Sequence, residues 1–107
     1  MKAETAVLDI QGQYRVYTEH YRAAAAEQTI ILVNGSLSTT ASFAQTLRYL
    51  YPQFNVVLFD LPYAGQSRAH NRHTRLISRE EEAGILLELI EHFACDLLLS
   101  FSWGGIA

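Results

Sequence analysis

Three short, uninterrupted apolar runs constrain this chain more than any other feature: Thr29-Ile30-Ile31-Leu32-Val33, Val56-Val57-Leu58-Phe59 and Leu97-Leu98-Leu99. A strand with one wet face alternates apolar and polar residues, whereas an unbroken apolar run belongs to a strand covered on both faces. The stretches between the runs read as helices. Phe43, Leu47 and Leu50 recur at helical spacing from about Ser42, and Pro52 closes that segment. Buried strands alternating with helices imply right-handed crossovers and a mostly parallel sheet. The fold class is α/β.

The flanking segments complete this order. Residues 6–10 and 14–18 are β-prone and separated by Gln11-Gly12-Gln13, which predicts an antiparallel hairpin with a three-residue turn. After Phe59, Asp60-Leu61-Pro62-Tyr63-Ala64-Gly65 stops the strand, and a polar loop runs to Ser78. Ser78-Arg79-Glu80-Glu81 is a capping box, and Glu80, Glu81 and Glu82 suit the positive end of a helix dipole. Ala83, Leu86, Leu87, Ile90 and Phe93 are the expected buried face of that helix. The strand of residues 97–100 follows it.

Composition excludes several classes. With 107 residues there is room for one domain at most. A net charge of −3 argues against a global basic field for nucleic acid. The single Cys95 excludes an internal disulfide and a cysteine-rich metal site, and suits a reducing cytoplasm. No histidine or cysteine spacing suggests a metal. The N-terminus lacks a signal pattern, and no apolar run approaches the roughly 20 residues that span a bilayer. The expectation is a cytoplasmic chain without a membrane span.

The chemistry gathers where strands end, the edge at which open α/β sheets bind ligands. Ser100-Phe101-Ser102-Trp103-Gly104-Gly105 follows the last apolar run in the order strand, tight turn, helix start. In such an elbow small residues two before and two after the serine let the turn close, and the hydroxyl stands exposed above the sheet. Ser102 is therefore the candidate nucleophile. The Trp103 amide, at the N-terminus of the new helix, is aimed at a developing oxyanion. A second oxyanion donor is assigned to the Ser36 amide, in the turn Asn34-Gly35-Ser36-Leu37 after the first apolar run. Asp60 reads as a brace of its proline-glycine bend rather than a triad acid. From Leu61 through Arg79 there is no acid, but there are four arginines, Arg68, Arg72, Arg75 and Arg79, and the histidines His70 and His73. That loop is either a solvated surface or a dock in which Arg68, Arg72 and Arg75 hold an acidic carrier protein or cofactor phosphates. His20 and His92 fit core or surface roles, and Cys95 fits a small buried apolar group.

The elbow, the Asn34-Gly35 turn and Asp60-Leu61-Pro62-Tyr63-Ala64-Gly65-Gln66-Ser67 together resemble the N-terminal half of an α/β hydrolase. The wider match takes in Val33-Asn34-Gly35-Ser36, Thr39-Thr40-Ala41-Ser42-Phe43 and Phe54-Asn55-Val56-Val57-Leu58-Phe59-Asp60. It is similar to the (R)-3-hydroxyacyl-acyl-carrier-protein transacylases and thioesterases of polyhydroxyalkanoate synthesis. The resemblance implies acyl transfer from a phosphopantetheine thioester on acyl carrier protein, through an ester on Ser102, to coenzyme A or water. These are substrates, and no bound cofactor is implied. It also implies a histidine and an acid following the nucleophile in the chain, so residues 1–107 read as the N-terminal portion of one domain, truncated just after the elbow. Such a piece is expected to be inactive alone. The other readings are the 3-(3-hydroxyalkanoyloxy)alkanoate synthase of rhamnolipid formation, a generic serine ester hydrolase, and a non-catalytic acyl-binding module.

Overall fold

The two longer apolar runs lie side by side inside a five-stranded sheet, and the third pairs with one of them. In the computed structural model, which describes residues 3–12, 14–33, 44–62, 67 and 78–100, the strands are β1 (Ala3–Ile10), β2 (Tyr14–Tyr21), β3 (Thr29–Val33), β4 (Asn55–Asp60) and β5 (Leu97–Ser100). The helices are α1 (Ala44–Leu50) and α2 (Arg79–Phe93). Spatial order is β1-β2-β4-β3-β5. β3 runs parallel to both β4 and β5, while β2 is antiparallel to β1 and β4.

The hairpin closes with Ile10 opposite Tyr14, so its loop has the expected three residues. Gln11 and Gly12 both take positive φ, at 56° and 69°. Glycine accepts that conformation freely, whereas glutamine adopts it against its Cβ. β2 runs three residues beyond the predicted strand because β4 is its second partner: Glu19, His20 and Tyr21 pair with Leu58, Val57 and Val56.

The runs of β3 and β4 are continuous because a helix covers each face. The third run departs from the expectation: β5 is the edge strand among the described residues, and its Leu97 and Leu98 are exposed because no strand pairs with its outer side. The step from β3 to β4 and the step from β4 past β3 to β5 go in opposite directions, so right-handed crossovers place α1 and α2 on opposite faces. Ile30, Leu32, Val56 and Leu58 pack with Leu47 of α1. Their neighbours Ile31, Val57 and Phe59 point the other way and pack with Ile85 and Leu89 of α2, together with Ile10, Tyr14 and Val16 from the hairpin. The helix predicted from about Ser42 is described from Ala44, with Leu47 buried and Leu50 half-buried. Ser42 and Phe43 lie outside the described residues.

The capping box forms as read: Ser78 Oγ accepts from the Glu81 amide at 3.1 Å, and the Ser78 amide donates to Glu81 Oε1 at 3.0 Å. The buried Tyr14 hydroxyl donates to the other carboxylate oxygen of Glu81, which ties the start of α2 to the start of β2. The buried face of α2, however, differs from the predicted stripe. Ile85 and Leu89 are its fully buried residues, Leu86, Ile90 and Phe93 flank them, and Ala83 and Leu87 are exposed. Apolar residues at 85, 86, 87, 89 and 90 surround most of the helix, so two stripes satisfy the 3.6-residue period and docking on the sheet selects one.

The amino ends of the parallel strands are held by side chains. Asn55 Oδ1 accepts from the Ala23 amide at 2.7 Å. Asp96 Oδ2 accepts from the Thr29 amide at 3.0 Å, while the Asp96 amide returns a bond to the Thr29 carbonyl at 2.8 Å. These bonds satisfy backbone groups at the bottom of the sheet that the ladders leave over.

Candidate active-site edge

The segments read as catalytic follow the opposite, carboxyl ends of the parallel strands. Val33 is paired with Ser100, so the Asn34-Gly35-Ser36 segment and the Ser102 elbow depart from neighbouring positions on β3 and β5. Asp60 ends β4 on the other side of β3. The chain leaves β3 toward β4, whereas β5 lies on the far flank. Crossovers that leave adjacent strands for opposite faces open a crevice at the strand ends, where α/β sheets bind ligands. Ser36, Ser102, Trp103, Arg68, Arg72, Arg75, His70 and His73 themselves lie outside the described residues. The structure brings the ends of β3 and β5 together at Val33 and Ser100, the described residues that precede the oxyanion turn and the elbow in the chain.

Asp60 and Ser67 are fully buried at this edge. Tyr17 opposite Asp60 is the last pair of the β2–β4 ladder. Beyond it, Ser67 Oγ accepts from the Tyr17 amide at 2.7 Å and donates to the Asp60 carbonyl at 2.5 Å. One hydroxyl thus bridges two backbone groups of two strands. Sequence reasoning gave the bracing of this bend to Asp60 and missed the serine beside it. The available signal was a small hydroxyl residue two positions after the turn glycine, a type that bonds local backbone.

The other titratable groups sit away from this edge or are unsuited to acid–base work. Burial, then the charge of Arg22 and that of His92, hold His20 below the ordinary histidine pKa, with Glu4 opposing. Its ring meets Phe93 edge-on at 5.0 Å, a packing role as expected. The Tyr17 and Tyr21 hydroxyls both donate to Glu19, at 2.7 and 2.8 Å. Burial and those bonds push Tyr21 up to about 12 and Tyr17 higher still, so both stay protonated donors. Burial, with Asp96 adjacent, pushes the Cys95 thiol up to about 11 from 9.0, and Cys95 packs against the α2-side core as read. At pH 8 its thiolate share is about 100-fold below that of an ordinary thiol, and only the thiolate attacks. Because a thiolate of higher pKa is also the stronger nucleophile, Cys95 is expected to react with a disulfide reagent about tenfold more slowly in the native protein than in denaturant. Equal rates in the two states would contradict this.

Solved structures with this arrangement carry a common architecture. The haloalkane dehalogenase DatA from Agrobacterium tumefaciens superposes with a TM-score of 0.75 at 14% identity, covering 95% of this chain and 33% of its own. An α/β hydrolase from Sphaerobacter thermophilus gives 0.69 at 23% identity over 91% of this chain and 35% of its own. The chain has the α/β-hydrolase fold. Within that fold, its sequence is similar to the (R)-3-hydroxydecanoyl-ACP:CoA transacylases. The one from Pseudomonas putida is 75% identical over 98% of this chain, and the one from Pseudomonas aeruginosa 64% over all of it. The transacylase resemblance read from the motifs therefore extends along the α/β-hydrolase chain. The chain spans 36% of the length of these curated relatives. No protein-family model matches it. Among the described residues, no helix is long and apolar enough to cross a membrane.

Proposed function

We propose that the whole protein moves (R)-3-hydroxyacyl groups from acyl carrier protein to coenzyme A in the cytoplasm, through an ester on Ser102. The observation that carries this reading is 75% identity to a protein named for that transfer, supported by the pairing of Val33 with Ser100 just before the Ser36 and Ser102 segments. Ser102 Oγ attacks the thioester carbonyl and loses its proton to a histidine base that follows it in the chain. The amides of Ser36 and Trp103 stabilise the oxyanion. As the tetrahedral intermediate collapses, the carbon–sulfur bond breaks and the phosphopantetheine sulfur takes the proton from the base. Attack by the coenzyme A thiol then reverses these events and frees Ser102.

Arg68, Arg72 and Arg75 supply the positive charge that docks the acidic carrier or the phosphates of coenzyme A, since guanidinium groups bind phosphate through paired donors. The test is product analysis of the whole protein with 3-hydroxydecanoyl-acyl carrier protein and coenzyme A. The coenzyme A ester is the expected product. A free acid would identify a thioesterase, and a dimeric ester the rhamnolipid-type synthase. Reversing Arg72 and Arg75 to glutamate is expected to raise KM for the carrier-linked substrate by about tenfold and to flatten its salt dependence. Unchanged KM and unchanged salt dependence would remove the arginines from the dock.

A further inference from the structure

Ser67 has a role that the acyl-transfer chemistry leaves unassigned. Its side chain is fully buried, yet it is polar, and its hydroxyl joins the Tyr17 amide to the Asp60 carbonyl at 2.7 and 2.5 Å. Tyr17 and Asp60 are the last pair of the β2–β4 ladder, and the hydroxyl links the amide of one to the carbonyl of the other. The chain leaves β4 at Asp60 and is back beside it seven residues later. Leu61 and Pro62, the first residues out of the strand, are themselves buried. The pinned point lies at the carboxyl end of β4, on its β2 side, with β3 on the other side of β4.

We propose that Ser67 is a positioning residue for substrate binding. Its hydroxyl locks the carboxyl end of β4 as a preformed wall of the acyl-transfer site, an inference that rests on the reading above. Without the hydroxyl, the Tyr17 amide and the Asp60 carbonyl lose their shared partner and the end of β4 is freed to fray. The substrate must then order that wall as it binds. Ordering of this kind weakens binding and leaves the rate within the bound complex nearly unchanged.

The experiment measures kcat and KM for 3-hydroxydecanoyl-acyl carrier protein in the whole protein, well below the melting temperature of each variant. Ser67→Ala and Ser67→Val are expected to raise KM about tenfold and to change kcat less than about threefold. Ser67→Thr matches valine in size and retains the hydroxyl, so it is expected to recover most of the lost affinity. Should the alanine and valine variants fail to fold, Ser67→Cys carries the same comparison with a weaker donor of similar size. A variant with a lowered melting temperature and a native KM, or threonine behaving as valine does, overturns the positioning role. Ser102→Ala separates the two ideas. Transfer lost there with KM unchanged in Ser67→Ala refutes the positioning role alone, whereas transfer surviving in Ser102→Ala refutes the acyl-enzyme.

Discussion

Replacing Ser102 by alanine is expected to lower the rate of acyl transfer by about 10⁴-fold or more in the whole protein. Removal of a catalytic serine costs about 10⁶-fold in kcat where the residual rate comes from oxyanion and binding groups alone. Alanine retains the small side chain that the elbow tolerates and deletes only the attacking oxygen, so the fold stays intact. The variant should still bind the carrier-linked substrate, with no burst of released thiol and no acyl group on the protein by mass spectrometry. A variant within tenfold of the native rate would show that Ser102 does not carry the acyl group. The cap of α2, the hairpin and the core all lie outside this substitution, and the melting temperature is its control.

The second large effect concerns stability. Leu89→Ala is expected to lower the free energy of unfolding by about 2–5 kcal/mol, the range for a fully enclosed leucine that leaves a cavity. Leu89 is fully buried between α2 and the sheet, in one cluster with Ile31, Val57 and Phe59. Leu87→Ala, two positions earlier on the same helix, is expected to cost less than about 0.5 kcal/mol because Leu87 is 61% exposed. Urea unfolding of the two variants measures the difference directly. If Leu87 proves the costly position, the stripe predicted from periodicity is the true buried face and the docking of α2 described above is wrong.

The contrast between those two leucines shows where local pattern runs out. The capping box at Ser78 and Glu81 was legible because both partners lie within four residues and bond each other. The three-residue hairpin turn was legible for the same reason. The buried stripe of α2 was not, because Ile85, Leu86, Leu87, Leu89 and Ile90 offer the sheet more than one apolar face. The Ser67 bridge was missed because the Tyr17 amide is 50 residues away in the chain. The same distance hides the Thr29 amide from Asp96, 67 residues on. At the site, residue types and spacing named Ser102, Trp103 and Ser36, which lie outside the described residues.

By itself the sequence determined the class of the sheet and the order of its elements. Those follow from periodicity, caps and breakers, which act over a few residues. Only the tertiary structure decided that β4 lies between β2 and β3, that α1 and α2 take opposite faces, and that the ends of β3 and β5 meet at Val33 and Ser100. It also brought the Ser67 hydroxyl between the Tyr17 amide and the Asp60 carbonyl. These are pairings between distant segments, and burial against a partner decides each of them.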